Sequence, residues 1–280
     1  MRNVGTLLNE ILMSKELGNG AVLCDVDSRG VVTVTLNRPS VNNAYNEDMI
    51  QGLHQALDLL PSLPDARVVV VQGNGKHFQA GADLAWISSV APKSPEENER
   101  VSRLTGEAIR RLDTLPIPTV ALIHGGCFGG GTGIASVCDI VVAADNAIFA
   151  ITEARWGLIA GIILPQLCKA MGVRNVRRYA LTCERFSPEV ALRIGFVHEI
   201  CKADDLSATG ARIVDGLLMN SPSAVSATKM RTLAVSDSLL DDALFADLVR
   251  EHSELRQKAD AAEGTASFLE KRLPSWYPKK

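Results

Sequence analysis

The sequence predicts an α/β protein, with a βα-repeating core on a parallel sheet followed by a helical C-terminal third. Three observations carry this prediction. Short β-branched apolar runs alternate with stretches of helical period up to about Leu164, Pro and Gly punctuate the joints, and beyond that point the pattern is helical. With 280 residues, 46% of them hydrophobic, the chain can bury a sizeable core.

Residues 1–20 read as an N-terminal extension. Leu7, Leu8, Ile11 and Leu12 have helical spacing, but Glu10, Lys15 and Glu16 interrupt it, which argues against a signal-peptide core or a transit peptide. Val22–Val26 and Val31–Leu36, separated by Asp27-Ser28-Arg29-Gly30, read as a hairpin that starts the sheet. Glu47–Leu60 carries one apolar helical stripe and is stopped by Pro61 and Pro64. Arg67–Gln72 reads as a buried strand, Pro95–Leu112 as a long polar helix, and Pro116 and Pro118 introduce a strand at Thr119–Ile123. A glycine-rich turn opens a short helix. The apolar run Ile134–Asp139 has strand-like composition, and Ile140–Ala144 is the next strand.

The helices expected after that are Pro165–Met171, Val173–Leu181, Pro188–Arg193, Leu206–Leu218, Ser221–Ala234, Leu239–Lys258 and Ala261–Lys271. This divides the chain into the extension, a core at 21–205 and a helical region at 206–280.

The formal charge of −3 and scattered basic residues argue against nucleic acid as a partner. No run approaches the length of a membrane span. The six cysteines, Cys24, Cys127, Cys138, Cys168, Cys183 and Cys201, form no Cys-x-x-Cys pair and lack His at metal-ligand spacing. They read as buried thiols of a reducing, cytoplasmic compartment, with neither disulfide nor metal implied. The dinucleotide fingerprint and the phosphate loop are both absent.

Two glycine-rich segments carry the chemistry. Gly73–Leu84 follows a predicted strand at its C-terminal end, where ligands collect in α/β sheets, so main-chain N–H groups near Ala82 are candidate anion donors. Gly125–Gly133 follows another strand and opens a helix, whose first N–H groups are free and favour negative charge. Glu153 comes next, in the apolar setting of Phe149, Ala150, Ile151 and Trp156, where desolvation would raise its pKa. Together they point to an oxyanion site with one acid-base group. His77 reads as a turn residue outside the pocket, Cys138 as core, Asp83 and Asp139 as turn caps, and Tyr45 and Trp86 as packing residues that could also line the site.

The chain resembles the enoyl-CoA hydratase/isomerase (crotonase) family over nearly all of Val22–Trp276. The resemblance rests on Leu36-Asn37-Arg38-Pro39 with Asn42-Asn43-Ala44, on Phe78-Gln79-Ala80-Gly81-Ala82-Asp83-Leu84, and on Gly129-Gly130-Gly131 leading to Cys138-Asp139. Phe149, Glu153, Gly157-Leu158 and the ending from Gly264 to Arg272 complete it. It implies a ββα spiral core with a C-terminal helical trimerisation region, and a homotrimer or hexamer that acts on an acyl-CoA. No cofactor is implied beyond the coenzyme A of the substrate.

By the same resemblance the Ala82 and Gly130 amides hold the thioester oxygen. Losing one such donor typically costs about 2.7–4 kcal/mol of transition-state stabilisation. Arg38, Ala80, Asp83 and Leu84 would contact the phosphopantetheine and adenine, with Phe268 and Lys271 reaching an adenine site, often across a subunit boundary.

The family's hydratases commonly use two glutamates; here the first position is Gly133, leaving Glu153 alone. That pattern, with Thr152-Glu153-Ala154-Arg155-Trp156-Gly157-Leu158-Ile159, is similar to the branch of methylglutaconyl-CoA and isohexenylglutaconyl-CoA hydratases. Arg155 would then pair with a substrate carboxylate, or form a structural salt bridge. The expected activity is addition or removal of water across an α,β double bond of an enoyl thioester. The alternatives are isomerisation, dehydration or decarboxylation of a CoA-linked or acyl-carrier-protein-linked thioester, or a weakly active CoA-ester-binding or RNA-binding homologue.

Overall fold

A computed structural model describes residues 11–277. The strands among these residues are β1 (Ile11–Leu17), β2 (Val22–Asp27), β3 (Val31–Leu36), β4 (Val68–Gly73), β5 (Thr119–Ile123), β6 (Gly126–Phe128), β7 (Ile140–Ala144), β8 (Ile148–Ala150) and β9 (Glu199–Cys201). The helices are α1 (Glu47–Leu59), α2 (Leu84–Val90), α3 (Pro95–Asp113), α4 (Gly130–Val137), α5 (Leu164–Met171), α6 (Val173–Thr182), α7 (Pro188–Arg193), α8 (Leu206–Leu218), α9 (Pro222–Val235), α10 (Asp242–Arg256) and α11 (Ala259–Leu269).

Seven strands form the main sheet in the order β1-β2-β3-β4-β5-β7-β9, and β6 with β8 forms a second, two-stranded sheet. The β2–β3 hairpin is antiparallel, whereas β3, β4, β5, β7 and β9 run parallel. Parallel neighbours require crossovers, which is why helices separate these strands in the chain. Side chains alternate in direction along each strand. Val69, Val71, Ala121, Ile123, Val141 and Ala143 therefore enter the main core, while Val68, Val70, Val120, Leu122 and Val142 enter a second core closed by Val214 and Leu218 of α8. Gly210 lets α8 approach closely, since a Cβ there would lie 2.8 Å from Leu122 Cδ1.

Three details differ from the sequence expectation. Leu7 and Leu8 lie outside the described residues, but Ile11 and Leu12 belong to strand β1 rather than to a helix. Met13 and Leu17 both pack on the core, and a four-residue spacing puts side chains on one face of a strand as well as of a helix. The open edge of β2, with Lys15 opposite Cys24 and Leu17 opposite Val22, decides the matter. Ile134–Val137 is helical, not strand-like, because the turn at Gly129 starts a helix whose apolar residues are buried on nearly every side. The helical C-terminal third contains one strand, β9, which extends the sheet from β7.

Candidate active site

The loops after β4 and β5 form the site. The loop 74–83 is held by the asparagines that follow β3. Asn42 and Asn43 both adopt left-handed backbone (φ 56° and 57°), and the buried Asn43 side chain donates to the carbonyls of Asn74 and His77, each at 2.8 Å. The Tyr45 N–H donates to Gly81 O at 2.8 Å and the Asp83 N–H to Tyr45 O at 2.9 Å. In such a bridge the intervening residue turns its own N–H away from the partner segment. The Ala82 amide consequently faces the pocket without a protein acceptor among the described residues.

Gly129 has φ +49° and ψ −118°, a conformation that glycine adopts far more readily than other residues, and this turns β6 into α4. Its N–H donates to Ala150 O at 2.9 Å, while the Gly130 amide, first in α4, also has no acceptor among the described residues and lines the same pocket. A Cβ on Gly130 would lie 2.6 Å from Tyr45 Cε1, so only glycine fits beside that ring. The two donor loops are laced together by buried Gln79. Its N–H donates to Gly126 O at 3.1 Å, its carbonyl accepts from Phe128 N at 2.8 Å, and its side-chain Oε1 accepts from the Gly81 N–H at 2.8 Å.

Glu153 reaches this place because β8 runs parallel to β6, pairing Cys127 with Phe149 and Phe128 with Ala150. The chain then turns through one 3-10 turn, Glu153–Trp156, which ends at left-handed Gly157 (φ 71°). The carboxylate rests against Gly129, and its Oε2 is buried without a hydrogen-bond partner among the described residues. Burial pushes its pKa up, with main-chain hydrogen bonds at Glu153 and Thr152 pulling the other way.

The pocket holds about 510 Å³, and among the described residues Glu153 is the one carboxylate in its lining. Tyr45, Trp86 and Ile163 contribute to its walls, with Trp156 and Ile159 exposed at its margin. Tyr45 and Trp86 meet edge to face, 5.9 Å between ring centroids. Burial, then the negative charge of Glu153, pushes the Tyr45 phenol up to about 12, so it stays protonated. At position 133, where the resemblance expects a second glutamate in hydratases, a Cβ would lie 2.5 Å from Ile163 Cγ2.

Ala80, Ala82, Leu84, Gly130 and Glu153 thus converge on one pocket, whereas Arg38, Asp83, Phe268 and Lys271 are not in its lining. Arg38 pairs with Asp83 at 3.1 Å and donates to Ala44 O, clamping the donor loop from behind. Asp83 caps α2 by accepting from the N–H groups of Ala85 and Trp86. Phe268 is 82% exposed near the end of α11, and Lys271 lies in the turn beyond it. Arg155 forms no salt bridge among the described residues; it is outside the pocket lining, and its Nη2 donates to Cys183 O at 3.0 Å. His77, also outside the lining, accepts the Gly126 N–H at Nδ1 (2.7 Å), and burial lowers its pKa. Cys138 is core, its thiol pushed up to about 12 by burial.

The sequence reading missed the positioning roles of Gln79, Asn43 and Lys229. Gln79 and Asn43 stand inside the quoted motifs, a polar residue among small ones, and that was their signal. Lys229 carries no such mark. It is buried and donates to Asp139 Oδ2 at 2.7 Å and Ile117 O at 3.1 Å, tying α9 to the core.

The profile of the enoyl-CoA hydratase/isomerase family matches residues 27–279, and the chain belongs to that family. Among solved structures it is similar to an enoyl-CoA hydratase from Shewanella pealeana, with TM-score 0.87 and 33% identity, over 91% of this chain and 96% of that one. Among curated proteins it is 31% identical to the mevalonyl-coenzyme A hydratase sidH of Aspergillus fumigatus, over 89% of this chain and 92% of that protein. It is 32% identical to a peroxisomal Delta(3,5)-Delta(2,4)-dienoyl-CoA isomerase of Arabidopsis thaliana, over 71% of this chain and 76% of that protein. The expected crotonase fold is thereby established, and an acyl-CoA substrate is consistent with the family. Among the described residues no helix is long and apolar enough to cross a membrane.

Proposed function

We propose that the chain adds water to, or removes it from, the α,β double bond of an enoyl-CoA, with Glu153 as its single acid-base group. The observation that carries this reading is the meeting, in one apolar pocket, of a buried unpartnered carboxylate oxygen with the free amides of Ala82 and Gly130. With the thioester carbonyl oxygen between the two amides, the negative charge of an enolate is stabilised by donors already in place. Glu153 takes a proton from water as the water oxygen bonds to C3; the electrons move to the thioester oxygen, and Glu153 returns the proton to C2. Its raised pKa suits both halves of the exchange.

Incubation with linear, branched and carboxylated enoyl-CoA esters, following loss of the conjugated thioester absorbance, tests the reading. Turnover of none of them would sink it. A second reading, double-bond isomerisation by the same carboxylate moving a proton between carbons, is favoured by Ile163 filling the space beside Gly133, which leaves no room there for a second water-holding carboxylate. Oxygen-18 from solvent enters the product only in hydration.

The exposed Phe245, Val249 and Leu269 of α10 and α11 support assembly into a trimer or dimer of trimers, read by light scattering. The reading of a reducing, cytoplasmic setting rests on the spacing of the six cysteines in the sequence.

A further inference from the structure

The pocket presents a fourth polar group that the mechanism above does not use. Tyr45 lines it, and its main chain brackets Ala82 through the bonds to Gly81 and Asp83. Its ring lies against Gly130, held from the other side by the edge-to-face contact with Trp86. The residue is thereby fixed beside both donors, by its ring at Gly130 and by its main chain at Ala82, close enough to Glu153 to feel its charge. Its hydroxyl is not one of the buried atoms left without a partner among the described residues, and, lining the pocket, it is open to water or a ligand there. A phenol in such a place can both donate to and accept from water or a ligand in the pocket.

Resting on the hydration reading, we propose that the Tyr45 hydroxyl is the second polar contact of the reacting water, in place of the carboxylate that Ile163 excludes from position 133. A phenol can accept one O–H of the water while Glu153 takes the other proton, leaving an oxygen lone pair aimed at C3. In the reverse direction the same hydroxyl still accepts the O–H of the departing C3 hydroxyl, whose oxygen takes its second proton from Glu153. No proton leaves the phenol at any step; its burial keeps it neutral throughout.

Tyr45→Phe removes the hydroxyl and keeps the ring that packs on Gly130 and Trp86. Two reactions of the whole chain separate its role from that of Glu153: hydration of crotonyl-CoA, which needs the water, and exchange of the α-protons of butyryl-CoA in deuterium oxide, which needs only the carboxylate and the amides. The expected result is a fall of about 100-fold in hydration kcat, little change in KM, α-exchange within about threefold of wild type and an unchanged melting temperature. Hydration at the wild-type rate, or parallel loss of both reactions, overturns the assignment. A wild-type protein that exchanges α-protons but hydrates no enoyl-CoA overturns both this proposal and the hydration reading, whereas hydration unchanged in the variant overturns the Tyr45 role alone.

Discussion

Ile163 stands in the space that a side chain at Gly133 would need: a Cβ there would lie 2.5 Å from Ile163 Cγ2 and 3.2 Å from its Cβ. The contact is with a β-branched side chain near its root, where rotation gives little relief. Gly133→Ala is therefore expected to cost about 1–3 kcal/mol. Combined with Ile163→Ala, it should cost less than the sum of the two single changes. Urea unfolding of the four proteins measures this, and strictly additive values would contradict the contact.

Glu153→Gln should lower kcat by about 10²–10⁴-fold with the fold intact. Burial raises the folded-state pKa above the unfolded value of about 4.3. Glu153's contribution to stability is thus fully present below the unfolded pKa and is lost as pH rises through the folded one. The Gln variant, with no charge to desolvate, should melt above wild type near neutral pH and converge with it in acid. The acid limb of kcat/KM should lie above the ordinary glutamate range; a limb at the ordinary value would count against Glu153 as the base.

Gly129→Ala forces a side chain into φ +49° and places its Cβ 3.0 Å from Glu153 Oε1. A destabilisation of about 1–3 kcal/mol is expected, together with loss of turnover. Gly172 is a control: its φ is +78°, but nothing among the described residues lies within 4 Å of a Cβ there. Gly172→Ala should lower the melting temperature while leaving kcat near wild type. Equal catalytic loss in both variants would detach the Gly129 effect from the carboxylate.

Lys229→Met removes the buried cation from Asp139, which also accepts from the N–H and hydroxyl of Thr119. A loss of about 3–5 kcal/mol is expected, partly recovered by adding Asp139→Asn. Thermal melts of the single and double variants read this; no recovery in the double variant would mean that the carboxylate is not what the lysine offsets.

The elements that strong local patterns specify were legible in the sequence. Thr119–Ile123 and Ile140–Ala144 are the strands expected, because an apolar β-branched run bounded by Pro or Asp admits few alternatives. The short strands Gly126–Phe128 and Ile148–Ala150 were not legible. At three residues each they have no period of their own and exist only by pairing with one another. The two glycine-rich segments and Glu153 were legible from the residues, because glycine and alanine mark where backbone must be bare, while the pairing of Ala82 with Gly130 was implied by the family resemblance. Ile163 was not, since nothing in a run of apolar residues says which one turns toward Gly133. The hydrogen bond from Arg155 to Cys183 O was equally hidden, because it depends on where α6 ends.

Gln79 joins the segment that carries Ala82 to the segment that leads into Gly130, with main-chain bonds on both sides and its amide folded onto Gly81. The spacing between the two donors is therefore set when the chain folds and not when a ligand arrives. An acyl-CoA should meet a rigid receptor: its binding should bring little slowing of amide hydrogen exchange in these loops, and on heating, activity should disappear together with the main cooperative transition, with no earlier softening of the site.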